Sequence, residues 1–290
     1  MDALLELAHT VVLRPYVFAF CAAFLALALP AWGWRRTLTF TALACLVAWA
    51  AEAASVRAGF PFPRFSYSGD PATGEELWVA GVPFIDPLSF VFLAFAGLQT
   101  ARLLLAPVRP GPCARWDLRW REPAPPARRI VALVALGGVF TAALDVVMDP
   151  VTLRGEEWFL GRFYQYAATG AYFGVPPSNF AGWLLVSWTI LGSFLALDRA
   201  VLLRVAGPWR THAGDAVGGL ALFAALLAFH IAVALAIGRP LIALAGCAWG
   251  GALLLPVLLR LRRATAGRKP AEAGGGGAPA PPSGGDADAE

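Results

Sequence analysis

The sequence predicts an all-α protein, a polytopic bundle of about seven transmembrane helices, and three observations support this fold class. Hydrophobic residues make up 58% of the 290 residues and charged residues only 14%, with a mean hydropathy of +0.63. An average soluble domain is far more polar than this. The apolar residues fall in separate runs of the length that crosses a bilayer. The basic residues are also distributed very unequally between the loops on the two sides.

The apolar runs define the predicted helices, because the hydrocarbon core of a bilayer requires about 17 to 25 consecutive apolar residues. The runs cover residues 16–34, 38–57, 82–106, 130–149, 180–199, 216–237 and 241–259. We therefore predict seven spans and a multi-pass protein of the cell membrane.

The basic residues predict the orientation, because cytoplasmic loops carry an excess of Lys and Arg. Of the 23 basic residues, 17 lie in or beside the loops that follow the first, third, fifth and seventh runs, and 6 lie on the opposite side. The amino terminus is thus predicted outside and the carboxyl terminus in the cytoplasm. No basic patch interleaved with aromatic residues indicates a nucleic-acid partner.

Composition also divides the chain into two parts. Residues 1–263 hold all the apolar runs and are predicted to form one transmembrane domain that carries the catalytic residues. Residues 264–290 consist mainly of Gly, Pro and Ala with few large apolar side chains. Such a segment cannot bury enough apolar surface to fold, so we predict a disordered tail.

Two of the predicted outer loops are rich in aromatic residues. Loop 59–81 contains a Phe-Pro-Phe segment ending at Phe62 and also Tyr67, and loop 150–177 contains Trp158 and Tyr172 among seven aromatic residues. Loops of this kind can fold back over a cavity at the membrane surface and offer ring faces to a long apolar ligand. We predict such a cavity on the outer side.

Three acidic residues within or at the ends of the apolar runs are the candidate functional groups. Asp145 and Asp149 lie one helical turn apart on the same face of the fourth run, and Glu52 lies near the outer end of the second. A carboxylate buried in hydrocarbon is costly and usually marks a site of chemistry or transport. Asp86, at the start of the third run, reaches the same membrane face.

Structural roles compete with this interpretation. Asp149 precedes Pro150 and could end a helix in a turn, and Glu52 could pair with an arginine at the interface. Asp86 could be an acid favoured by the dipole at a helix amino terminus. Asn179 and Trp183, which open the fifth helix, could be a cap and an interfacial anchor. Asp145 is the deepest acid and the hardest to explain in this way.

Histidine and cysteine residues do not indicate a metal site. The three histidines, His9, His212 and His230, are scattered along the chain and between the predicted membrane sides. The four cysteines show neither disulfide nor metal-ligand spacing. No phosphate-binding glycine loop or dinucleotide fingerprint is present. We therefore predict neither a metal nor an organic cofactor.

The order of these motifs is specific enough to suggest a family. The chain presents, in order, Glu52, Phe60-Pro61-Phe62, Tyr67, Gly81-Val82-Pro83, Asp145, Asp149-Pro150, Trp158, Tyr172-Phe173-Gly174-Val175-Pro176, Asn179-Phe180 and Gly182-Trp183. In this respect it resembles the integral-membrane carotenoid hydratases, which include the γ-carotene and lycopene 1,2-hydratases of bacteria and the bisanhydrobacterioruberin hydratases of haloarchaea. The resemblance covers roughly residues 37–200. Pro63, Phe65, Phe90 and Asp86 depart from the family pattern.

The resemblance implies that water is added across the terminal double bond of an acyclic carotenoid end group to give a tertiary alcohol. A carboxylic acid protonates the less substituted carbon, and water captures the tertiary carbocation, so the reaction needs no cofactor. An acid can do this only if it remains neutral, which burial beside a second carboxylate favours. We therefore hypothesise that Asp145 donates the proton and that Asp149 or Glu52 is the ionised partner that activates the water.

The remaining candidate residues would bind the polyene. Aromatic faces such as those of Tyr67, Trp158 and Tyr172 can stabilise a cation by about 0.5 to 2 kcal/mol each. The predicted substrate-binding set is Phe62, Tyr67, Trp158, Tyr172, Asn179 and Trp183. The implied partners are lycopene, γ-carotene or a similar carotenoid, membrane lipid, and other enzymes of carotenoid biosynthesis.

Two other functions fit the same acids. A membrane prenyltransferase would use the Asp-x-x-x-Asp pair to hold Mg²⁺ against a diphosphate, although the pair is predicted to face away from the cytoplasm. A carotenoid-binding or transport protein without enzymatic activity would use the acids as a proton relay and leave its ligand unchanged.

Overall fold

The protein is described by a computed structural model for residues 3–69, 71–73, 75–105, 126–207 and 213–266. The helices within these ranges are α1 (Ala3–Leu13), α2 (Pro15–Ala58), α3 (Ile85–Leu105), α4 (Ala127–Thr152), α5 (Pro177–Leu197), α6 (Leu203–Val205), α7 (Ala213–Ala236) and α8 (Pro240–Ala266). A π-helical turn, Asp198–Leu202, joins α5 to α6. The all-α prediction is confirmed.

Six helices in the described ranges are long and apolar enough to cross a membrane, whereas the sequence predicted seven spans. The difference lies at the first two predicted spans, because both fall within the 44-residue helix α2. The third predicted span also starts too early, since Val82–Pro83 is a strand and α3 begins at Ile85.

Helix α2 nevertheless folds back on itself at Gly33. This residue has φ 77° and ψ 162°, a conformation outside the helical region that glycine adopts without steric cost. The rings of Phe24 and Phe40 lie 6.1 Å apart between centroids. Sixteen residues of a straight helix would separate them by about 24 Å. The two halves of α2 therefore pack side by side, each roughly long enough to cross the hydrocarbon core.

Helix α3 lies at the centre of the bundle. Nearly all of its side chains are buried, and it packs against α2, α4 and α7. Around it, α2 contacts α5, and α8 packs on α4 and α7. This arrangement brings the carboxyl-terminal end of α2, the start of α3, the end of α4 and the start of α5 to the same end of the bundle.

Two buried ion pairs fasten opposite ends of the bundle. At the end near Gly33, Nε of Arg36 lies 2.6 Å from Oδ1 of Asp198. At the other end, Nε of Arg14 lies 3.1 Å from Oε1 of Glu76, and the same guanidinium donates to the carbonyl oxygen of Leu160. Separating a buried ion pair leaves an uncompensated buried charge, which is strongly destabilising. These contacts therefore hold their segments in place.

The prediction of a disordered tail concerns mainly residues outside the described ranges. Helix α8 continues to Ala266, and residues 267–290 lie beyond the described part of the chain. The side of the membrane that each terminus faces remains a prediction.

Candidate active site

A small antiparallel sheet joins the two aromatic loops over one end of the bundle. Strand β1 (Phe65–Tyr67) pairs with β4 (Tyr164–Tyr166), with Phe65 opposite Tyr166 and Tyr67 opposite Tyr164. Side chains two residues apart on a strand share a face, so these four rings point to one side. Their centroids lie 5.1 to 6.4 Å apart along the strands and across the pair. The second small sheet, β2 (Trp78–Val79) with β3 (Val82–Pro83), lies within the first loop.

Beneath this sheet is a cavity of about 100 Å³, enclosed by α2, α3, α4, α5, α7 and the two loops. Most of its lining residues are aromatic or aliphatic, and most of the other lining residues are acids and their hydrogen-bond partners. The lining residues are Tyr16, Val17, Phe20, Glu52, Phe62, Phe65, Ile85, Asp86, Ser89, Phe90, Phe92, Asp145, Met148, Asp149, Thr152, Trp158, Leu160, Phe163, Tyr164, Tyr166, Asn179, Trp183, Leu226 and His230.

The first pair of acids is bridged by a tyrosine from the covering sheet. The hydroxyl of Tyr67 donates a hydrogen bond of 2.5 Å to Oδ2 of Asp86 and lies 3.5 Å from Oε2 of Glu52. Glu52 is buried and Asp86 is partly buried at this end of the bundle. The hydroxyl thus connects carboxyls of two different helices, α2 and α3.

The second pair of acids is bridged by an asparagine. Nδ2 of Asn179 donates to Oδ2 of Asp145 at 2.7 Å and to Oδ2 of Asp149 at 2.8 Å. These distances place the two carboxylate oxygens no more than 5.5 Å apart. Asp149 also accepts a 2.6 Å hydrogen bond from the Tyr166 hydroxyl. Asp149 therefore accepts two side-chain hydrogen bonds, and Asp145 accepts one.

The two tyrosines remain proton donors at neutral pH. Burial, followed by the charges of Asp86 and Glu52, raises the pKa of the Tyr67 phenol far above its ordinary value. Burial, followed by the charges of Asp149 and Asp145, does the same for the pKa of Tyr166. Each phenol can therefore hold a carboxyl in position without giving up its proton.

Aromatic rings form two clusters in the cavity lining. In the first cluster, the rings of Phe90 and Trp183 stack with centroids 4.3 Å apart, and Phe62 lies 6.1 Å from Trp183. In the second cluster, the ring of Tyr16 lies 6.1 Å from Trp158. Both clusters can offer ring faces to an apolar ligand.

The structure brings most of the predicted site residues into this cavity. The three predicted catalytic acids, Glu52, Asp145 and Asp149, line it together with four of the predicted binding residues, Phe62, Trp158, Asn179 and Trp183. Tyr67 lies behind the lining and contacts the acids. Tyr172 is outside the lining, packs on Phe173 and Phe180, and buries a hydroxyl without a hydrogen-bond partner among the described residues. The roles of all these residues remain proposals.

Sequence reasoning missed several polar residues of the cavity. Asp86 was set aside because it departs from the family pattern, yet it lines the cavity beside Glu52. In the sequence, Tyr166 is only one of seven aromatic residues of its loop, and His230 is only one of three scattered histidines. Asp86 precedes Pro87 at a helix start, and this position could have indicated that Asp86 lies at the same end of the bundle as the other acids. No sequence signal connects His230 with the acids of the cavity, which lie more than 70 positions earlier in the chain.

The family of this chain follows from comparison with known proteins. The model of a family described as "Carotenoid biosynthesis protein" matches residues 11–253. Neither a curated protein nor a solved structure matches the chain significantly. The matched region includes every acid of the cavity and the sheet that covers it. The chain therefore belongs to the carotenoid biosynthesis protein family and is a multi-pass membrane protein.

Proposed function

We propose that this member of the carotenoid biosynthesis protein family is a hydratase that adds water across the terminal double bond of an acyclic carotenoid end group. The observation that carries the proposal is the convergence of four carboxyls in one otherwise largely apolar cavity. Those of Glu52, Asp145 and Asp149 are buried, and that of Asp86 is partly buried. An apolar pocket binds the tip of a polyene, and a buried acid supplies the proton. Alkene hydration requires both.

The hydrogen bonds favour Asp145 as the proton donor. Hydrogen bonds donated to a carboxyl favour its ionised form, while burial and a nearby carboxylate favour the neutral form. Within the described part of the chain, Asp149 accepts hydrogen bonds from both Tyr166 and Asn179, whereas Asp145 accepts one from Asn179 alone. We therefore assign the proton to Asp145 and the negative charge to Asp149.

The reaction then balances without another reactant. Asp145 transfers its proton to the less substituted alkene carbon, which leaves a tertiary cation on the neighbouring carbon. Water forms the new C–O bond, and the proton that it loses goes to a carboxylate, Asp149 or Glu52. Return of that proton to Asp145 completes the cycle. The aromatic walls at Trp158 and Trp183 would stabilise the cation through their ring faces.

The arrangement gives less support to a prenyltransferase. The lining residues that the structure describes include no Lys or Arg to balance the charge of a diphosphate. The amide of Asn179 directs its hydrogens at the oxygens of Asp145 and Asp149 that a Mg²⁺ ion would need. The amide of Asn179 would compete with a metal ion for these oxygens. Its position therefore fits carboxyls that exchange protons better than carboxylates that bind a metal.

Expression in a host that accumulates lycopene or γ-carotene tests the proposal directly. We expect a carotenoid heavier by one water when the wild-type chain is present, and unchanged pigment in cells with the empty vector. Mass spectrometry of the extracted pigments is the measurement. Pigment that stays unchanged with a membrane-inserted chain would contradict hydration and support a carotenoid-binding or transport role.

A further inference from the structure

One polar group of the cavity comes from a helix that contributes no acid to the lining. His230 on α7 lines the cavity, and its side chain is 7% exposed. It is one helical turn after Leu226, which also lines the cavity. In the lining, α7 contributes these two residues and no acid.

The hydrogen bond of His230 defines which ring nitrogen carries the proton. Nδ1 lies 2.8 Å from the carbonyl oxygen of Leu226. Because a carbonyl oxygen only accepts hydrogen bonds, Nδ1 must be the donor, and in the neutral ring Nε2 is then left with a free lone pair. No group within the described ranges hydrogen-bonds to Nε2. Because His230 lines the cavity, the cavity is the space from which a donor to Nε2 can come.

The surroundings of His230 are aromatic. The neighbouring ring of Phe229 lies 5.4 Å from Tyr16 and 6.3 Å from Trp158. Two hydroxyl groups of the lining, on Ser89 and Thr152, already donate to carbonyls of their own helices, at 2.8 and 2.9 Å. An imidazole nitrogen is also a stronger hydrogen-bond acceptor than a hydroxyl oxygen. Nε2 of His230 is therefore well suited to accept a hydrogen bond from a small molecule in the cavity.

We propose that Nε2 of His230 binds the water molecule that captures the carbocation, an inference that rests on the proposed hydratase function. One hydrogen of this water is held by Nε2, which leaves a lone pair of the water oxygen free to form the C–O bond. The proton of the resulting oxonium goes to the carboxylate assigned above, and no further reactant is consumed. His230 thus positions the water, whereas the acids donate the proton to the alkene and accept the proton that the water loses.

Deuterium exchange into the substrate distinguishes protonation of the alkene from capture of the water. In D₂O, protonation of the alkene followed by loss of the original hydrogen from the same carbon returns the substrate with one deuterium. This exchange requires the acids but not the captured water. The test compares the wild type with His230→Leu, which removes the acceptor, and His230→Gln, which restores an acceptor oxygen. His9→Leu is the matched control, because His9 is exposed on α1 and is not part of the cavity lining.

For His230→Leu we expect hydration to fall on the order of 10²-fold, since the water is no longer positioned, while deuterium still enters the recovered substrate. For His230→Gln we expect partial recovery of hydration, and for His9→Leu unchanged hydration. Normal hydration by His230→Leu would overturn the inference, and so would equal loss of exchange and hydration in both His230 variants. If the wild type neither hydrates nor exchanges, the proposed function itself fails.

Discussion

The hydroxyl of Tyr166 donates a 2.6 Å hydrogen bond to Oδ2 of Asp149, so a residue of the covering sheet holds a carboxyl of a membrane-spanning helix. Tyr67 does the same for Asp86 from the opposite strand. The sheet is therefore more than a cover over the cavity. It supplies the hydroxyl groups that position two of the four acids, and it connects the aromatic loops to the chemistry beneath them.

This relationship predicts that Tyr166→Phe lowers hydration without changing the shape of the cavity wall. The substitution removes one of two hydrogen bonds to Asp149, and we expect activity to fall at least about tenfold, because a hydrogen bond to a charged group contributes about 1.5 to 3 kcal/mol. Product formation per unit of inserted protein is the measurement. Tyr172→Phe is the control, because that hydroxyl has no hydrogen-bond partner among the described residues. Equal effects of the two substitutions would count against a positioning role for Tyr166.

Asp145→Asn tests the proton donor. An amide cannot protonate an alkene, so we expect hydration to fall by at least about 10²-fold, the usual worth of a general acid. The variant should still insert and show a thermal transition in detergent, because Asn nearly matches the volume of Asp. Glu156→Gln, which changes an exposed acid paired with Arg162, should leave turnover unchanged. Near-normal product from Asp145→Asn would remove Asp145 from the donor role.

Asn179→Leu tests the bridge between the acids. The change removes the donor that Asp145 and Asp149 share and leaves two buried carboxyls close together. We expect loss of activity and a lower melting temperature, because a buried polar group that loses its partner costs about 1 to 3 kcal/mol. Thermal unfolding followed by circular dichroism measures the stability. A variant as stable and active as the wild type would show that the bridge is dispensable.

Asp86→Asn distinguishes the two interpretations of this residue. If Asp86 is only an acid at a helix start, its replacement should change stability by a few tenths of a kcal/mol and leave turnover unaffected. The hydrogen bond from Tyr67 and the position in the cavity lead us to expect instead a clear loss of turnover, about tenfold. Initial rates of product formation, normalised to inserted protein, decide between these outcomes.

Gly182→Val tests the wall formed by the Phe-Pro-Phe segment. A Cβ atom on Gly182 would lie 2.5 Å from Cδ1 of Phe62 and 2.7 Å from the carbonyl oxygen of Pro61. A larger side chain must therefore displace this segment, at a cost of about 1 to 3 kcal/mol. We expect weaker substrate binding and a lower melting temperature. Gly251→Ala is the control, since nothing lies within 4 Å of its added Cβ. Unchanged KM and stability in Gly182→Val would contradict the packing described here.

Much of the site could be predicted because the position of a residue along a membrane-spanning helix determines its depth in the membrane and the face to which it is nearest. Once helices are assigned, a carboxyl near the end of an apolar run can lie at only one membrane face. This logic predicts that Glu52, Asp145 and Asp149 lie close together, and the three acids line one cavity. The same logic could not place His230 or Tyr166, because an aromatic or histidine side chain at that depth is compatible with core, lipid and cavity positions alike.

The sequence alone determined the fold class, the approximate spans and the end of the bundle where the acids meet, because hydrocarbon tolerates only long apolar helices and penalises every buried charge. Tertiary structure alone decided which groups touch. Hydrogen bonds from Asn179 and the two sheet tyrosines depend on pairing between loops about 100 residues apart and on the fold-back of α2 at Gly33. Such contacts arise from packing in three dimensions, and no local pattern of residue types specifies them.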